Sequence, residues 1–257
     1  MNNTGSEGNK MEKTMERAGN FLPRVDESAG SPNAVDNRVV SLTAPASIAA
    51  EQYRSLYYRL ERMRELRPLK VVGITSAMPG EGKTVTTVNL ALAAARANPE
   101  RRILLIDADL RRGQVAQVLG IRGRPGLSEL LSGECEVREL VRRFHATRMA
   151  VITAGGTPEE PTQALASARM KQFLKLVRDH FDEIYVDLPP TLPFADASIL
   201  GHQTDGLLMV VRAHHSQAKT VTQAMEQLGG APVLGCVLNG AEMSAAPYLK
   251  EYSSNKK

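Results

Sequence analysis

Residues 71–84 read VVGITSAMPGEGKT, an apolar run that leads into a glycine-containing loop. The run from Val71 to Ile74 is short and continuous, which is typical of a strand buried on both faces. A helical pattern follows the loop directly, from Val85 to Arg96. We therefore expect a buried strand, a tight loop and a helix in succession.

Apolar runs and helical stretches alternate along the rest of the chain. Further strand-like runs occupy 103–106, 150–152, 183–186, 207–211 and 233–238, and the helical stretches include 168–180 and 217–228. This alternation predicts an α/β fold with a mostly parallel central sheet and helices on both faces. Ligands bind at the carboxyl ends of such strands, so we expect functional loops after Ile74, Ile106 and Val186.

Composition divides the chain into three parts. Residues 1–45 are rich in Asn, Gly, Ser and Glu, and we expect a flexible arm there, because such a segment buries too little apolar surface to offset its ordering entropy. Residues 46–245 are expected to form the α/β domain and residues 246–257 a C-terminal tail. Apolar positions recur every three or four residues from Ala49 to Met63, which predicts that the domain begins with a helix.

Charge and composition exclude several classes of protein. The 257 residues carry 32 Lys and Arg against 28 Asp and Glu, an excess too small to indicate a nucleic-acid partner. We find neither a signal-peptide pattern nor an apolar stretch of the roughly 18 residues that span a bilayer. Cys135 and Cys236 lie far apart and are expected to be core residues in a reducing compartment. These features predict a cytoplasmic protein that meets a membrane only through a partner.

The loop after the first strand has the residues that a polyphosphate site needs. Gly80 and Gly82 let backbone N–H groups turn toward phosphates, and the positive end of the helix dipole lies beside them. Lys83 can reach the outer phosphates, and Thr84 is placed to ligate Mg²⁺. The usual pattern has glycine at position 77, where this chain has alanine. The alternative is a glycine turn that merely caps a helix.

Acidic residues end two of the expected strands. Asp107 and Asp109 follow the second strand, and Asp187 follows the run 183–186. A nucleoside triphosphate with Mg²⁺ needs carboxylates that bind the metal or its water, or that accept a proton from an attacking hydroxyl. The alternative for Asp107 or Asp187 alone is to cap a following helix.

These three motifs, in this order, resemble those of the bacterial tyrosine kinase family, the P-loop kinases of capsule and exopolysaccharide assembly. The resemblance extends over residues 48–240 and includes GLSELLSG at 126–133 and AGG at 154–156. It implies a P-loop NTPase fold, ATP and Mg²⁺ as cofactors, and phosphoryl transfer to tyrosine. The residues implied to bind ATP are Met78, Pro79, Gly80, Glu81, Gly82, Lys83, Thr84, Val85 and Asn239.

The resemblance also implies the roles of the charged residues. Lys83, Asp107 and Asp109 are the implied catalytic residues, with Asp107 helping to activate the incoming tyrosine hydroxyl. Thr84, Asp107 and Asp187 are implied to hold Mg²⁺ or its water. The related chromosome-partitioning and division-site ATPases carry an additional lysine where this chain has Met78, so the kinases are the better match.

The chain departs from the family pattern at two places. The kinases often end in a tyrosine cluster that neighbouring subunits phosphorylate, whereas this chain has Tyr248 and Tyr252 after its last strand. Many relatives join subunits through Glu-x-x-Arg-x-x-Arg on an early helix; here Glu51 and Arg54 match, and Tyr57 stands in the third position. The two tail tyrosines are candidate phosphate acceptors, and Glu51 and Arg54 are candidate contacts in a homo-oligomer.

Two functions remain open at this stage. The first is an ATP-dependent protein-tyrosine autokinase that regulates polysaccharide polymerisation and export. The second is a nucleotide-switched ATPase that associates with a membrane polysaccharide co-polymerase and has no protein kinase activity. Both imply a separate transmembrane activator that recruits the cytoplasmic protein to the inner face of the plasma membrane.

Overall fold

A computed structural model describes residues 24–25, 35–144, 147 and 149–241. Its strands are β1 (Arg24–Val25), β2 (Val71–Ser76), β3 (Ile103–Asp107), β4 (Arg142–Arg143), β5 (Ala150–Ile152), β6 (Glu183–Asp187), β7 (Gly206–Arg212) and β8 (Val233–Asn239). Its helices are α1 (Val40–Thr43), α2 (Ile48–Leu66), α3 (Lys83–Ala97), α4 (Val115–Leu119), α5 (Leu127–Ser132), α6 (Val137–Leu140), α7 (Pro161–Ala166), α8 (Ala168–His180), α9 (Asp196–Gly201) and α10 (Ala218–Gln227).

The strands form one eight-stranded sheet in the order β1-β4-β5-β3-β6-β2-β7-β8. Neighbouring strands are parallel except for β4 and β5. The α/β fold and the six strands expected from the sequence are confirmed. The remaining strands, β1 and β4, have two residues each, too few for an apolar pattern to reveal them.

The core lies on both faces of the sheet. Along β3, Leu104 and Ile106 pack in one apolar cluster and Ile103 and Leu105 in the other, because successive side chains of a strand point to opposite faces. Helix α8 contributes to the first cluster, and α2 and α3 contribute to the second. The continuous apolar runs of the central strands therefore follow from their burial on both sides.

Helix α2 covers α3. Ser47 caps its N-terminus by accepting a hydrogen bond from the N–H of Ala50 at 3.1 Å. Tyr57 and Leu60 are fully buried against α3, as the three- and four-residue spacing predicts. The helix ends at Leu66. Arg67 follows it and precedes Pro68, and the residue before a proline disfavours helical backbone.

The packed unit includes residues that the sequence analysis assigned to a flexible arm. Val35 and Val39 are buried, and the N–H of Ser41 donates to Asn89 Oδ1 on α3 at 2.8 Å. The composition of residues 1–45 does not predict this burial, because isolated valines in a polar segment give no periodic signal. Residues 35–45 thus belong to the domain, in contrast to the expected boundary at residue 46.

At the end of the sheet opposite β1, β8 is the last strand of the described residues. Strand β8 is an edge strand, and Leu238 on it is 62% exposed. Cys236 is exposed and Cys135 is partly buried, so the expectation that both are core residues was wrong for Cys236. The tail with Tyr248 and Tyr252 lies outside the described residues. Among the helices of the described part, none has the length and apolar character to cross a membrane.

Candidate functional site

The phosphate loop, residues 77–82, connects the end of β2 to the start of α3. Gly80 and Gly82 have φ values of 84° and 93°, a backbone conformation that side chains strongly disfavour. Lys83 and Thr84 then form the first turn of α3, where backbone N–H groups have no partner within the helix. The strand, loop and helix expected from the sequence therefore occur in the arrangement that binds anionic groups.

Asn239 packs closely against the phosphate loop at Gly82. A Cβ atom at Gly82 would lie 2.0 Å from Nδ2 of Asn239, which donates to the carbonyl of Glu81 at 2.9 Å. The structure thus places Asn239 against the phosphate loop backbone. A contact between Asn239 and a nucleotide base stays a prediction.

Glu81 and Met78 hold the loop together from inside. The Glu81 side chain is 1% exposed, and its Oε2 accepts a hydrogen bond from the N–H of Met78 at 3.0 Å. The hydroxyl of Ser216 donates to the other carboxylate oxygen. The Met78 N–H is therefore already bonded within the protein. Pro79, which lies between Met78 and Glu81 in the loop, is exposed.

Lys83 lies between two carboxylates. Its Nζ atom is 2.9 Å from Asp109 Oδ2 and 3.4 Å from Asp187 Oδ2, and all three side chains are buried. These acids come from the ends of β3 and β6, which are adjacent strands, so the sheet order brings the three predicted residues together. A cation and two carboxylates within hydrogen-bond distance form a charged cluster at the start of α3.

Two threonines complete the surroundings of Asp187. Thr84 Oγ1 donates to Asp187 Oδ2 at 2.7 Å, and Thr87 Oγ1 lies 3.2 Å from Asp187 Oδ1. Thr87 was not among the predicted site residues, although its position one helical turn beyond Lys83 places it on the same face of α3. Val85, which was expected at the nucleotide, lies in the same first turn, and its carbonyl accepts from Asn89.

Asp107 has the capping contacts that the alternative interpretation predicts. Its two carboxylate oxygens accept from the N–H groups of Asp109 at 3.1 Å and Val115 at 3.0 Å, and Val115 is the first residue of α4. Asp107 therefore shapes the segment that carries Asp109. The carboxylate is 1% exposed and lies beside Asp187, its register partner across β3 and β6.

Burial and mutual repulsion alter the protonation of this cluster. Burial, assisted by the nearby Asp187 charge, raises the pKa of Asp107 to about 8. Burial also raises the pKa of Asp187, although Lys83 and the Thr84 hydroxyl favour its charged form. Burial opposes the charge of Lys83, but Asp187 and Asp109 together raise the pKa of its ammonium. Lys83 therefore stays cationic, and burial favours the protonated forms of Asp107 and Asp187.

The donor set near Thr84 fits a magnesium ion. A hydroxyl oxygen and a carboxylate oxygen, from Thr84 and Asp187, lie side by side at the start of α3. Within the described residues, no group of three or more His, Cys, Asp or Glu side chains is arranged to hold a metal ion. Mg²⁺ commonly takes one or two protein ligands and completes its shell with water and substrate phosphates. The site suits an ion of this kind.

A second cluster fixes the segment that follows Asp109. Arg111 Nε donates to Asp196 Oδ2 and its Nη2 to Thr162 Oγ1, both at 2.8 Å. Its guanidinium also lies 3.9 Å from the centre of the Phe194 ring. Asp196 is fully buried, so Arg111 compensates its charge. Sequence pattern does not reveal this cluster, because its members come from three separate segments.

Glu51 and Arg54 pair with one another on the surface of α2. Arg54 Nε donates to Glu51 Oε2 at 2.8 Å, and Arg54 Nη1 donates to the carbonyl of Pro45 at 2.9 Å. Both side chains remain substantially exposed. Their contact with a second subunit stays a prediction, as does phosphorylation of Tyr248 and Tyr252.

The sheet and the phosphate loop define a P-loop NTPase fold. A protein-family model described as an AAA domain matches residues 69–229. Tyrosine-protein kinase YwqD of Bacillus subtilis is 33% identical over 212 residues, which cover 82% of this chain and 89% of the relative. Tyrosine-protein kinase etk of Escherichia coli K12 is 36% identical over 209 residues, or 80% of this chain and 28% of the relative.

The solved kinase domain of Escherichia coli tyrosine kinase ETK has the same fold. It superposes with a TM-score of 0.76 at 30% sequence identity, and the match covers 91% of this chain and 95% of that domain. The chain spans less than a third of the full length of etk but most of YwqD. The chain belongs to the bacterial tyrosine-protein kinases.

Proposed function

We propose that the chain is an ATP- and Mg²⁺-dependent protein-tyrosine autokinase that regulates polysaccharide polymerisation and export. The position of Lys83 supports this function most directly. At the N-terminus of α3 its ammonium lies 2.9 Å from Asp109 and 3.4 Å from Asp187, next to the Thr84 hydroxyl. A cation, a metal-ligating pair and additional carboxylates are the groups that phosphoryl transfer needs.

Each residue has a distinct task in this proposal. When bound, ATP would supply the phosphoryl group, and Mg²⁺ would neutralise the charge of its oxygens. Lys83 and the N–H groups of the first turn of α3 stabilise negative charge that develops on the phosphates. Thr84 and Asp187 hold the metal, and Asp109 keeps Lys83 oriented. Asp107 takes the proton of the tyrosine hydroxyl, for which a pKa raised to about 8 is suitable near neutral pH.

The proposed acceptors are Tyr248 and Tyr252 of a neighbouring copy in a homo-oligomer. A chain segment at a terminus reaches a second subunit at modest entropic cost. Glu51 and Arg54 on α2 are the proposed subunit contacts. We also propose that a separate transmembrane co-polymerase recruits the cytoplasmic protein to the inner face of the plasma membrane.

Incubation with ATP and Mg²⁺, followed by mass spectrometry, tests this proposal. We expect phosphotyrosine at Tyr248 or Tyr252 in the parent protein and none in Lys83→Met. Lys175→Met, which removes an exposed lysine from α8, is the matched control and should label like the parent. A far-UV circular dichroism spectrum confirms that each variant is folded.

The result also distinguishes the second candidate function. The second candidate is a nucleotide-switched partner of the co-polymerase without protein kinase activity, and it stays open because Tyr248 and Tyr252 do not form the tyrosine cluster of many relatives. If the parent binds ATP but gains no phosphotyrosine, this second function replaces the first. If Tyr248→Phe with Tyr252→Phe labels as strongly as the parent, the acceptor lies elsewhere, and exposed Tyr58 on α2 is the next candidate.

A further inference from the structure

The turn after β7 contacts the phosphate loop from the side opposite Asp187. Strand β2 lies between β6 and β7, so the loop that follows β2 has β6 on one flank and β7 on the other. On the β7 flank, Ser216 donates its hydroxyl to Glu81, and Arg212 Nη1 lies 3.3 Å from the carbonyl of Gly80. The sequence motifs include neither Ser216 nor Arg212.

Glu81 gives this contact its importance. Its carboxylate is buried, and each of its oxygens has one protein donor, the N–H of Met78 and the hydroxyl of Ser216. A buried carboxylate that loses a donor is strongly destabilised, and it turns toward water when its surroundings permit. Ser216 therefore keeps the Glu81 carboxylate directed inward, where it holds the N–H of Met78.

Ser216 is itself held in place by the backbone. Its hydroxyl accepts from the N–H of Arg212 at 2.9 Å, and its own N–H donates to the carbonyl of Arg212 at 2.9 Å. The neighbouring Ala213 N–H donates to the carbonyl of Asn239 at 2.8 Å. Asn239 in turn donates to the carbonyl of Glu81. The ends of β7 and β8 thus contact Glu81 through both its side chain and its main chain.

We propose that Ser216 is a positioning residue of the phosphate loop, which acts through Glu81 to hold the loop in its phosphate-binding conformation. The proposal rests on the proposed nucleotide function. In this role Ser216 contacts Glu81, which lies 135 positions earlier in the chain, and does not itself bind phosphate or metal. Preorganised N–H groups bind an anion more tightly than groups that must first be ordered.

Hydrogen exchange on the full chain without nucleotide tests the contact itself. Ser216→Ala should speed exchange of the Met78 amide and of its neighbours in the loop, because Glu81 no longer holds that N–H. Ser216→Thr keeps the hydroxyl and should restore slow exchange. Ser132→Ala is the matched control, since Ser132 also donates to a glutamate, Glu134, but on an exposed turn. Parent-like exchange in Ser216→Ala would overturn the proposal.

Equilibrium binding of Mg²⁺·ADP tests the consequence. Loss of a hydrogen bond to a charged group predicts roughly tenfold weaker binding in Ser216→Ala, with near-parent affinity in Ser216→Thr and Ser132→Ala. If Ser216 acts through Glu81, Ser216→Ala has little further effect in a Glu81→Ala background. Two effects that simply add would contradict the positioning role.

The two sets of measurements separate the two proposals. If the parent does not bind Mg²⁺·ADP, the nucleotide function is wrong, and the exchange data alone decide whether Ser216 positions the loop. If the parent binds and Ser216→Ala binds equally well, the nucleotide function stands and the positioning role fails. Parent-like hydrogen exchange in β3 and β6, away from the loop, shows that the effect of Ser216→Ala is local, and faster exchange throughout the sheet would contradict the positioning role.

Discussion

Substitution of Asn89 by alanine tests whether residues 35–45 are part of the folded domain. Asn89 is fully buried on α3, and its Oδ1 accepts from the Ser41 N–H at 2.8 Å. Its Nδ2 donates to the carbonyl of Arg38 at 3.0 Å and to that of Val85 at 2.8 Å. Asn89→Ala therefore removes both hydrogen bonds that the Asn89 side chain makes to the segment before α2, and the bond from Ser41 Oγ to the Asn89 carbonyl remains.

The magnitude follows from the groups that lose a partner. Ser41 is 4% exposed, so its N–H stays buried without an acceptor, which costs about 1–3 kcal/mol. The lost bond to the Arg38 carbonyl adds about 1 kcal/mol. The Val85 carbonyl contributes little, because it lies within α3 and keeps its helical position. We expect Asn89→Ala to lower the free energy of unfolding by about 2–4 kcal/mol.

Urea unfolding measures this change, and limited trypsin digestion locates it. Asn89→Ala should also speed cleavage after Arg38, because the segment detaches more often from α3. Asn37→Ala is the control, since Asn37 is exposed in the same segment, and a change within about 0.5 kcal/mol is expected. Equal unfolding midpoints for the two variants would refute the packing of this segment. A stability loss without faster cleavage would assign the effect to α3 alone.

Three further predictions concern the acidic cluster. Asp187→Asn should weaken Mg²⁺-dependent nucleotide binding by roughly 10–100-fold in calorimetric titrations while changing metal-free binding little. Asp107→Asn should reduce the rate of phosphoryl transfer by roughly 10²–10⁴-fold, with a smaller loss of ATP affinity; a proportional loss of both would contradict a role in proton transfer. The raised pKa of Asp107, from 3.8 to about 8, stabilises the folded state at low pH, and this contribution is lost as the pH rises through 8. The unfolding midpoint of the parent should therefore fall between pH 5 and pH 8 as this one carboxyl loses its proton, whereas that of Asp107→Asn should vary less over the same range.

Local pattern was sufficient to predict the elements that carry the site. The strand, glycine loop and helix around Lys83 are adjacent in sequence, and the apolar runs that end at Asp107 and Asp187 predict buried parallel strands. Because ligands bind at the carboxyl edge of such sheets, the three residues were expected near one another. The structure confirms this proximity through the adjacent positions of β3, β6 and β2.

Contacts between distant segments were beyond the reach of the sequence. Whether Ser216 meets Glu81 depends on β7 lying beside β2, and strand order is not encoded in hydrophobic periodicity. The same holds for Arg111, whose partners Thr162 and Asp196 come from α7 and α9. Val39 was missed for a different reason, because an isolated valine in a polar segment gives no periodic signal, although it packs in the same apolar cluster as residues of α3.

The exposure of Cys236 makes the protein suitable for site-selective labelling without mutagenesis. The chain has two cysteines, and burial with nearby Glu139 raises the pKa of Cys135 to about 11, which suppresses the thiolate that reacts with maleimides. A dye or spin label will therefore attach preferentially to Cys236, three positions before Asn239 on edge strand β8. Pairs of such labels would report distances between copies in an assembly, and a single dye would report changes beside the phosphate loop in real time.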